Sequence, residues 1–312
     1  MTAAVRVKRC AQCGAEVQLD AEVFSTSCAF CDSPLIDTDA QTEPVDKVVP
    51  FTVPRGRAGS LLASWLAGKW LAPEALRKAA RPEELQQIFV PFYAYDALAR
   101  TRFTSRIGIY WYRTETYTTT VNGKTVVRTR QVRETEWFGL DGSHARRWFD
   151  HLVSASRGLP ENEANELEPF DLGRALPWGP ALTAGVAAEL PTVEHAQALQ
   201  VARAELEQRE KQVVAANHLP GSTHKSLRVS TQVEVDAVRL LLLPVWTAVY
   251  AGPDDAIRVL VNGQTGEVVG DIPRSKWKVG CLVGAIIATV LIIGFVTVVV
   301  VGGVSAISAV MG

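Results

Sequence analysis

The longest apolar pattern in the chain lies near its C-terminal end. Leu282 to Val301 is twenty residues without a charge, and fourteen of them are Leu, Ile, Val or Phe. At about 1.5 Å rise per residue a helix of this length covers roughly 30 Å, the thickness of a bilayer core. Insertion at roughly −0.4 kcal/mol per large apolar residue is worth on the order of −6 kcal/mol. A soluble helix of this length would show a polar face. The pattern therefore predicts a single transmembrane helix over 279–304 and a short tail over 305–312. Arg274, Lys276 and Lys278 precede the span, and the far side carries no charge. The positive-inside rule then puts the N-terminal body in the cytoplasm and the protein in the cytoplasmic (inner) membrane, single-pass. Trp277, Lys276 and Lys278 are the expected interfacial anchors. A re-entrant hairpin broken at Gly302-Gly303 is the alternative. Gly280, Gly284 and Ala288 recur every four residues and offer a face for oligomer contacts between such helices.

Upstream, the periodicity alternates between helical and extended. Leu61, Leu62, Trp65 and Leu66 share one face of a helix expected over 57–69, and Pro73-Glu74 opens a second that Pro82 stops. From Ile88 the chain reads as strands rich in Thr, Val, Tyr and Arg. Asn122-Gly123 marks a hairpin, and a further turn is expected at Asp141-Gly142. Residues 160–191 are broken by prolines. Thr192 to Asn217 is the clearest helix, with Thr192 as its cap and Leu199, Leu206 and Val213 as a stripe. Strands resume at 241–250 and 257–261, with a turn at Asn262-Gly263. Phe89-Val-Pro91-Phe-Tyr93 and Leu243-Pro244-Val-Trp246 are alike in pattern, and each precedes a Val-Asn-Gly. An internal duplication, 88–157 and 222–272, is the corresponding expectation. The class is α+β, with an antiparallel β-rich body and one long helix.

The 312 residues hold five cysteines, and their positions change the picture at the N-terminal end. Cys10-Ala-Gln-Cys13 and Cys28-Ala-Phe-Cys31 are two CxxC pairs fourteen residues apart. Each can grip one tetrahedral ion through a tight turn, and Gly14 permits the backbone such a turn needs. Four thiolates without histidine suit a closed, structural zinc site rather than a catalytic one. Iron in a four-thiolate site is the runner-up. A module of about forty residues buries too little to fold alone, so a metal is expected to fold it. The expected organisation is a zinc ribbon over 1–40, a linker over 41–56, an α+β body over 57–278, and the membrane helix. Thiolate chemistry fits a reducing compartment, in agreement with the topology. Met1 to Arg9 contains no apolar run of the kind a secretory signal has. Cys281, at the membrane boundary, stands apart from the ligand set.

Net charge is −1, but it is unevenly spread. Residues 51–160 hold seventeen basic and nine acidic side chains, against four and ten in 161–220. The basic block invites an anionic partner, either nucleic acid or an anionic lipid surface. Catalytic signatures are missing: there is no GxxxxGK[ST], no GxGxxG after a strand, no HExxH and no GxSxG. The five histidines, 144, 151, 195, 218 and 224, are scattered. His144 and His151 flank Trp148.

Several stretches together resemble a bacterial family usually labelled TFIIB-type zinc ribbon-containing protein, often also called primosomal protein N′ (replication factor Y)-like. They are the ribbon cysteines, Lys47-Val-Val-Pro50-Phe51, Trp65 through Leu76, Pro91-Phe-Tyr-Ala-Tyr-Asp96, Phe149 to Ser156, Leu241 to Trp246 and Val261-Asn-Gly-Gln-Thr-Gly-Glu267. The primosomal label implies a helicase, but the nucleotide-binding motifs of that motor are absent here. Some relatives resemble components of phage-shock-type membrane-stress systems, encoded near proteins of the PspA or SPFH type. The resemblance implies a membrane-associated adaptor with such a protein as partner, and residue by residue it carries over to Cys10, Cys13, Cys28 and Cys31 alone. The closed zinc shell, the anchor and the missing catalytic motifs make the expected adaptor or scaffold a zinc-binding, non-enzymatic one. Two other functions remain open: a membrane-tethered nucleic-acid-binding protein, and an enzyme whose site lies unrecognised in the β body.

Overall fold

The computed structural model describes residues 5–40, 43–74, 85–121, 124–251, 256–273, 275, 277–278, 280–285, 287–290 and 292–293. In chain order its elements are β1 (Val5–Arg9), β2 (Glu16–Asp20), β3 (Val23–Ser27), β4 (Pro34–Ile36), β5 (Lys47–Val48), α1 (Arg55–Gly68), β6 (Gln86–Val121) and β7 (Lys124–Ser154). There follow α2 (Glu161–Leu167), β8 (Leu176–Pro177), α3 (Pro180–Thr183), β9 (Ala187–Glu189), α4 (His195–Asn217), β10 (Thr223–Ala251), β11 (Ala256–Asn262) and β12 (Val268–Gly270). The class is α+β with a sheet-rich body. The chain divides into two compact units. The first holds residues 1–50, 89–165 and 171–243, and the second holds 51–88, 166–170 and 244–312.

In the first unit β6 and β7 form one long antiparallel ribbon, paired from Phe92↔Ser154 to Val121↔Lys124. The turn expected at Asp141-Gly142 does not occur. The strand runs straight through, with Asp141 opposite Thr104 and Gly142 opposite Phe103. Gly142 is there for space: a Cβ at that position would lie 2.6 Å from the Phe103 ring. The ribbon slips its register between Tyr95 and Ala97. There Asp150 adopts a left-handed backbone, φ 54°, and its N–H donates to Asp96 Oδ1 at 2.9 Å. Arg239 clamps this bulge, reaching Asp96 at 2.7 Å and Asp150 at 2.8 Å. Within the unit β10 lies beside β6, and its acids meet part of the basic block. Arg100 pairs with Glu234, and Arg147 with Asp236 at 2.6 Å.

Lys47–Val48, inside the stretch expected as a linker, form β5. It pairs in parallel with Leu241-Leu242 and antiparallel with β8. At the other edge β3 pairs with β9 as well as with β4.

The long helix α4 begins at His195, with Glu194 at its cap position. Thr192 does not cap it. Its hydroxyl instead accepts from Arg157 N–H at 2.8 Å. The buried positions are Ala198, Ala202, Leu206, Glu210 and Val214. The stripe therefore repeats every four residues, not seven, and small alanines let the helix lie close on the sheet.

In the second unit α1 begins at Arg55 and buries Ala58, Leu62 and Leu66 against Trp246, Val259 and Val261. The Trp246 indole donates to Val53 O at 2.9 Å, and Phe51 meets its ring edge-on at 5.3 Å. β10 and β11 pair antiparallel from Val245↔Asn262 to Ala251↔Ala256, and β12 follows on β11. Asn262 ends β11 as more than a turn residue. Its amide donates to Leu167 O at 2.8 Å and Pro169 O at 3.1 Å, while its Oδ1 accepts from Gln264 and Thr265 N–H. Asn122-Gly123, between β6 and β7, and most of the helix expected after Pro73 lie outside the described residues.

Among the described residues no helix is long and apolar enough to cross a membrane. Residues 294–312, most of the second half of the expected span, lie outside them, as do Arg274 and Lys276. The described part of 277–293 is helical. Lys278 Nζ donates to Trp70 O and Ala72 O, both at 2.8 Å, and Ser275 N–H donates to Leu71 O. Trp277 is 80% exposed, and Leu282, Val283, Ile287, Val290, Ile292 and Ile293 are exposed with it.

Candidate metal centre

Two matching turns build the N-terminal site. In the first, Cys10 N–H donates to Ala15 O at 2.8 Å and Gly14 N–H donates to Cys10 O at 2.9 Å. In the second, Cys28 N–H donates to Ser33 O and Asp32 N–H donates to Cys28 O, both at 2.8 Å. Each turn needs one left-handed residue directly after the CxxC pair: Gly14 at φ 75° and Asp32 at φ 57°. Glycine takes that conformation freely, and Asp is among the few other residues that tolerate it.

The turns bring the four predicted cysteines together. All four Sγ atoms lie within 4.8 Å of one another. Cys10 and Cys31 are 3.7 Å apart at sulfur, and Cys13 and Cys28 are 3.8 Å apart. A tetrahedral ion with metal–sulfur bonds of about 2.3 Å needs sulfurs about 3.8 Å apart, so the cage fits. Cys10 and Cys28 are buried, and Cys13 and Cys31 are exposed. The cage is thus a metal site with one side reachable from solvent.

Its electrostatics favour a cation. The Ser33 hydroxyl lies 3.1 Å from Cys10 Sγ and 3.0 Å from Cys31 Sγ. That hydroxyl, helped by the Cys13 and Gln12 amides, lowers the Cys10 thiol to about 6. Ser33 also lowers Cys31. The Ala15 amide favours the Cys13 thiolate as well, yet the neighbouring sulfurs, Cys31 first, push Cys13 up to about 12. Four thiolates cannot all ionise at this spacing without a positive charge among them. A metal cation held among the four sulfurs would supply that charge. Ser33 is the functional residue that the sequence pattern did not single out. Its signal is position: it follows the second pair by two, where a hydroxyl can face both sulfurs. Around the site, Asp37 holds Lys8 at 2.8 Å and Arg6 at 3.4 Å, tying β1 to the turn after β4.

His144 and His151 prove to be part of a buried polar seam under α4. Glu210 has no exposed surface. Its Oε2 accepts from Thr101 at 2.9 Å and lies 2.6 Å from His144 Nε2, and its Oε1 accepts from Trp148 Nε1 at 2.7 Å. His218 stacks on His144 at 4.3 Å. Nearer the start of α4, His151 Nε2 stands 3.0 Å from Glu205, which also accepts from Asn165 at 2.7 Å. Burial works to raise the Glu205 carboxyl, but His151 and Asn165 outweigh it and hold it below the usual glutamate range. The seam fastens helix to sheet.

The chain is similar to the uncharacterized protein YdjG of Bacillus subtilis (strain 168), with 25% identity over 249 residues, 75% of this chain. It covers 65% of that protein's length, slightly under two thirds. No protein-family model matches the chain, and no solved structure does.

Proposed function

We propose that the chain is a non-enzymatic, membrane-anchored adaptor whose N-terminal ribbon holds structural zinc. The observation that carries this reading is the closed four-sulfur cage, joined in one chain to a twenty-residue uncharged apolar run. Four protein sulfurs fill a tetrahedral shell and leave no position for substrate or water, which suits a structural role. Sulfur-only ligation and tetrahedral spacing favour zinc, with iron the competing ion.

The anchor rests on the apolar run and its flanks. A helix that exposes Trp277, Ile287, Val290 and Ile293 to its surroundings needs an apolar medium or a partner around it. Lys278 and Trp277 stand at the start of that helix, where headgroups would lie. The cytoplasmic membrane, with the body on the cytoplasmic side, follows from the basic flank. The partner class is a membrane-associated protein of the PspA or SPFH type.

The test is affinity purification of the full chain from a detergent extract of membranes. The expected result is an integral membrane fraction that brings down a stoichiometric partner, lost when the ribbon cysteines are replaced by serine. Recovery of the bare protein from the soluble fraction would contradict both the anchor and the adaptor role. Salt-dependent binding of duplex DNA would shift the reading to a tethered nucleic-acid-binding protein.

A further inference from the structure

The β6–β7 ribbon extends beyond its support. The chain entering β10 meets it beside Gly108, where Ser222 N–H donates to Gly108 O and Ser222 Oγ accepts from Tyr110 N–H. Past that point the pairs from Trp111↔Glu134 to Val121↔Lys124 form a two-stranded arm of roughly 37 Å. Residues 124–131 are exposed throughout. A two-stranded hairpin is marginal in water by itself. Moreover, among the described residues β7 pairs with β6 alone, so its outer edge is unpaired along all 31 residues. Such an edge is a template for another strand unless something guards against it.

We propose that the occupant of this edge is a second copy of the chain, with β7 pairing antiparallel to β7 about a two-fold axis at Val132. Charge complementarity along the strand favours this occupant. Around Val132 the sequence inverts: Val-Arg-Thr-Arg-Gln on one side and Arg-Glu-Thr-Glu-Trp on the other. With Val132 opposite Val132 of the second copy, Arg130 faces Glu134 and Arg128 faces Glu136. Thr129 then faces Thr135, and Val127 faces Trp137. No like charges face each other. The four charges matched in this way lie on one face of the ribbon, because they alternate along the strand, while Arg133 on the other face meets the neutral Gln131. Because the operator is two-fold, each match occurs twice.

The charges along β7 in and just below the arm agree with this register. Arg130 already pairs with Glu115 at 2.8 Å, and Glu134 with Arg113 at 3.4 Å. Arg128 and Glu136 have no ion-pair partner among the described residues, and the two-fold register gives each one. The other free edge of the arm, on β6, carries only Arg113 and Glu115, both matched within the chain. The β7 edge is therefore the one whose charges call for a second copy.

The test uses full-length chains in detergent, labelled at the N-terminus with donor or acceptor, and reads association by energy transfer. Wild-type chains should associate, more weakly as salt rises. Arg128→Glu sets two carboxylates against each other at both symmetry-related positions, and Glu136→Arg sets two guanidinium groups against each other at the same places. Each variant should associate about tenfold more weakly or worse, with unchanged circular dichroism. A mixture of the two variants restores an opposite-charge pair at both positions, so association should return to near the wild-type level. Association through the apolar C-terminal helix would not distinguish the mixture from either variant alone. Wild-type chains that do not associate, variants that associate as well as wild type, or a mixture that fails to recover would each overturn the proposal.

Discussion

The metal-bearing end of the chain and the core of the second unit are held by different means. The second unit buries a contiguous cluster in which Ala58, Leu62, Leu66, Val259 and Val261 have no exposed surface, with Trp246 almost as deep. The ribbon's own cluster is Cys10, Val17, Leu19, Cys28 and Leu35, and two of those five are cysteines of the candidate metal site. Burial of side chains at roughly 1.5–3 kcal/mol each can carry the core of the second unit. The N-terminal ribbon has too few such side chains, and on the metal-site proposal its order depends on an ion. Its fold would then be conditional on chemistry that the rest of the molecule does not need.

Removing the ion gives the largest expected effect. Apparent binding energies of structural zinc in small modules are about 10–16 kcal/mol, and on the zinc proposal that energy would be folding energy for the ribbon. A strong chelator, or Cys28→Ser, should expose the backbone of residues 5–20 to rapid hydrogen exchange while β11 keeps its protection. Loss of protection in both regions together would break the comparison.

The converse experiment acts on the second unit. Trp246→Ala removes a buried indole and its bond to Val53 O, at an expected cost of about 3–5 kcal/mol in denaturant unfolding. Metal content should stay unchanged.

The seam under α4 comes next. Glu210→Ala strips a buried carboxylate from three donors and should cost about 3 kcal/mol of global stability. Glu210→Gln should recover part of that loss.

Ser33→Ala removes the hydroxyl shared by Cys10 and Cys31. It should weaken metal affinity about 10-fold or more in a competition titration, with the fold intact when metal is saturating.

The smallest effect concerns pH. Glu205 sits below the ordinary glutamate value in the folded protein. Its contribution is therefore present above the unfolded pKa and is lost as pH falls through the folded one. Glu205→Gln should flatten the decline of thermal stability on acidification through and below that ordinary value, near 4.5, and an unchanged slope would assign the decline to other carboxylates.

What could be read from the sequence follows the same division. Cysteine spacing located all four sulfurs because each CxxC is a local turn, closed within six residues. Ser33 escaped because its role depends on both turns meeting. Alternating strands were legible, but the Asp141-Gly142 turn was not there, since Gly142 serves Phe103 on the neighbouring strand rather than the backbone. His144 and His151 gave no sign of their partners, because Glu210 and Glu205 lie more than fifty residues away along the chain. Leucine and valine on α4 suggest a seven-residue stripe, whereas alanines and a glutamate form more than half of the buried face.

The most direct test of the account is elemental analysis of the full chain purified without added metal, alongside thermal unfolding. The account predicts one zinc per chain, close to none in Cys10→Ser and Cys28→Ser, and the same main unfolding transition in all three. A wild-type chain that lacks stoichiometric metal or carries iron instead, or serine variants that lose the main transition together with the metal, would contradict it.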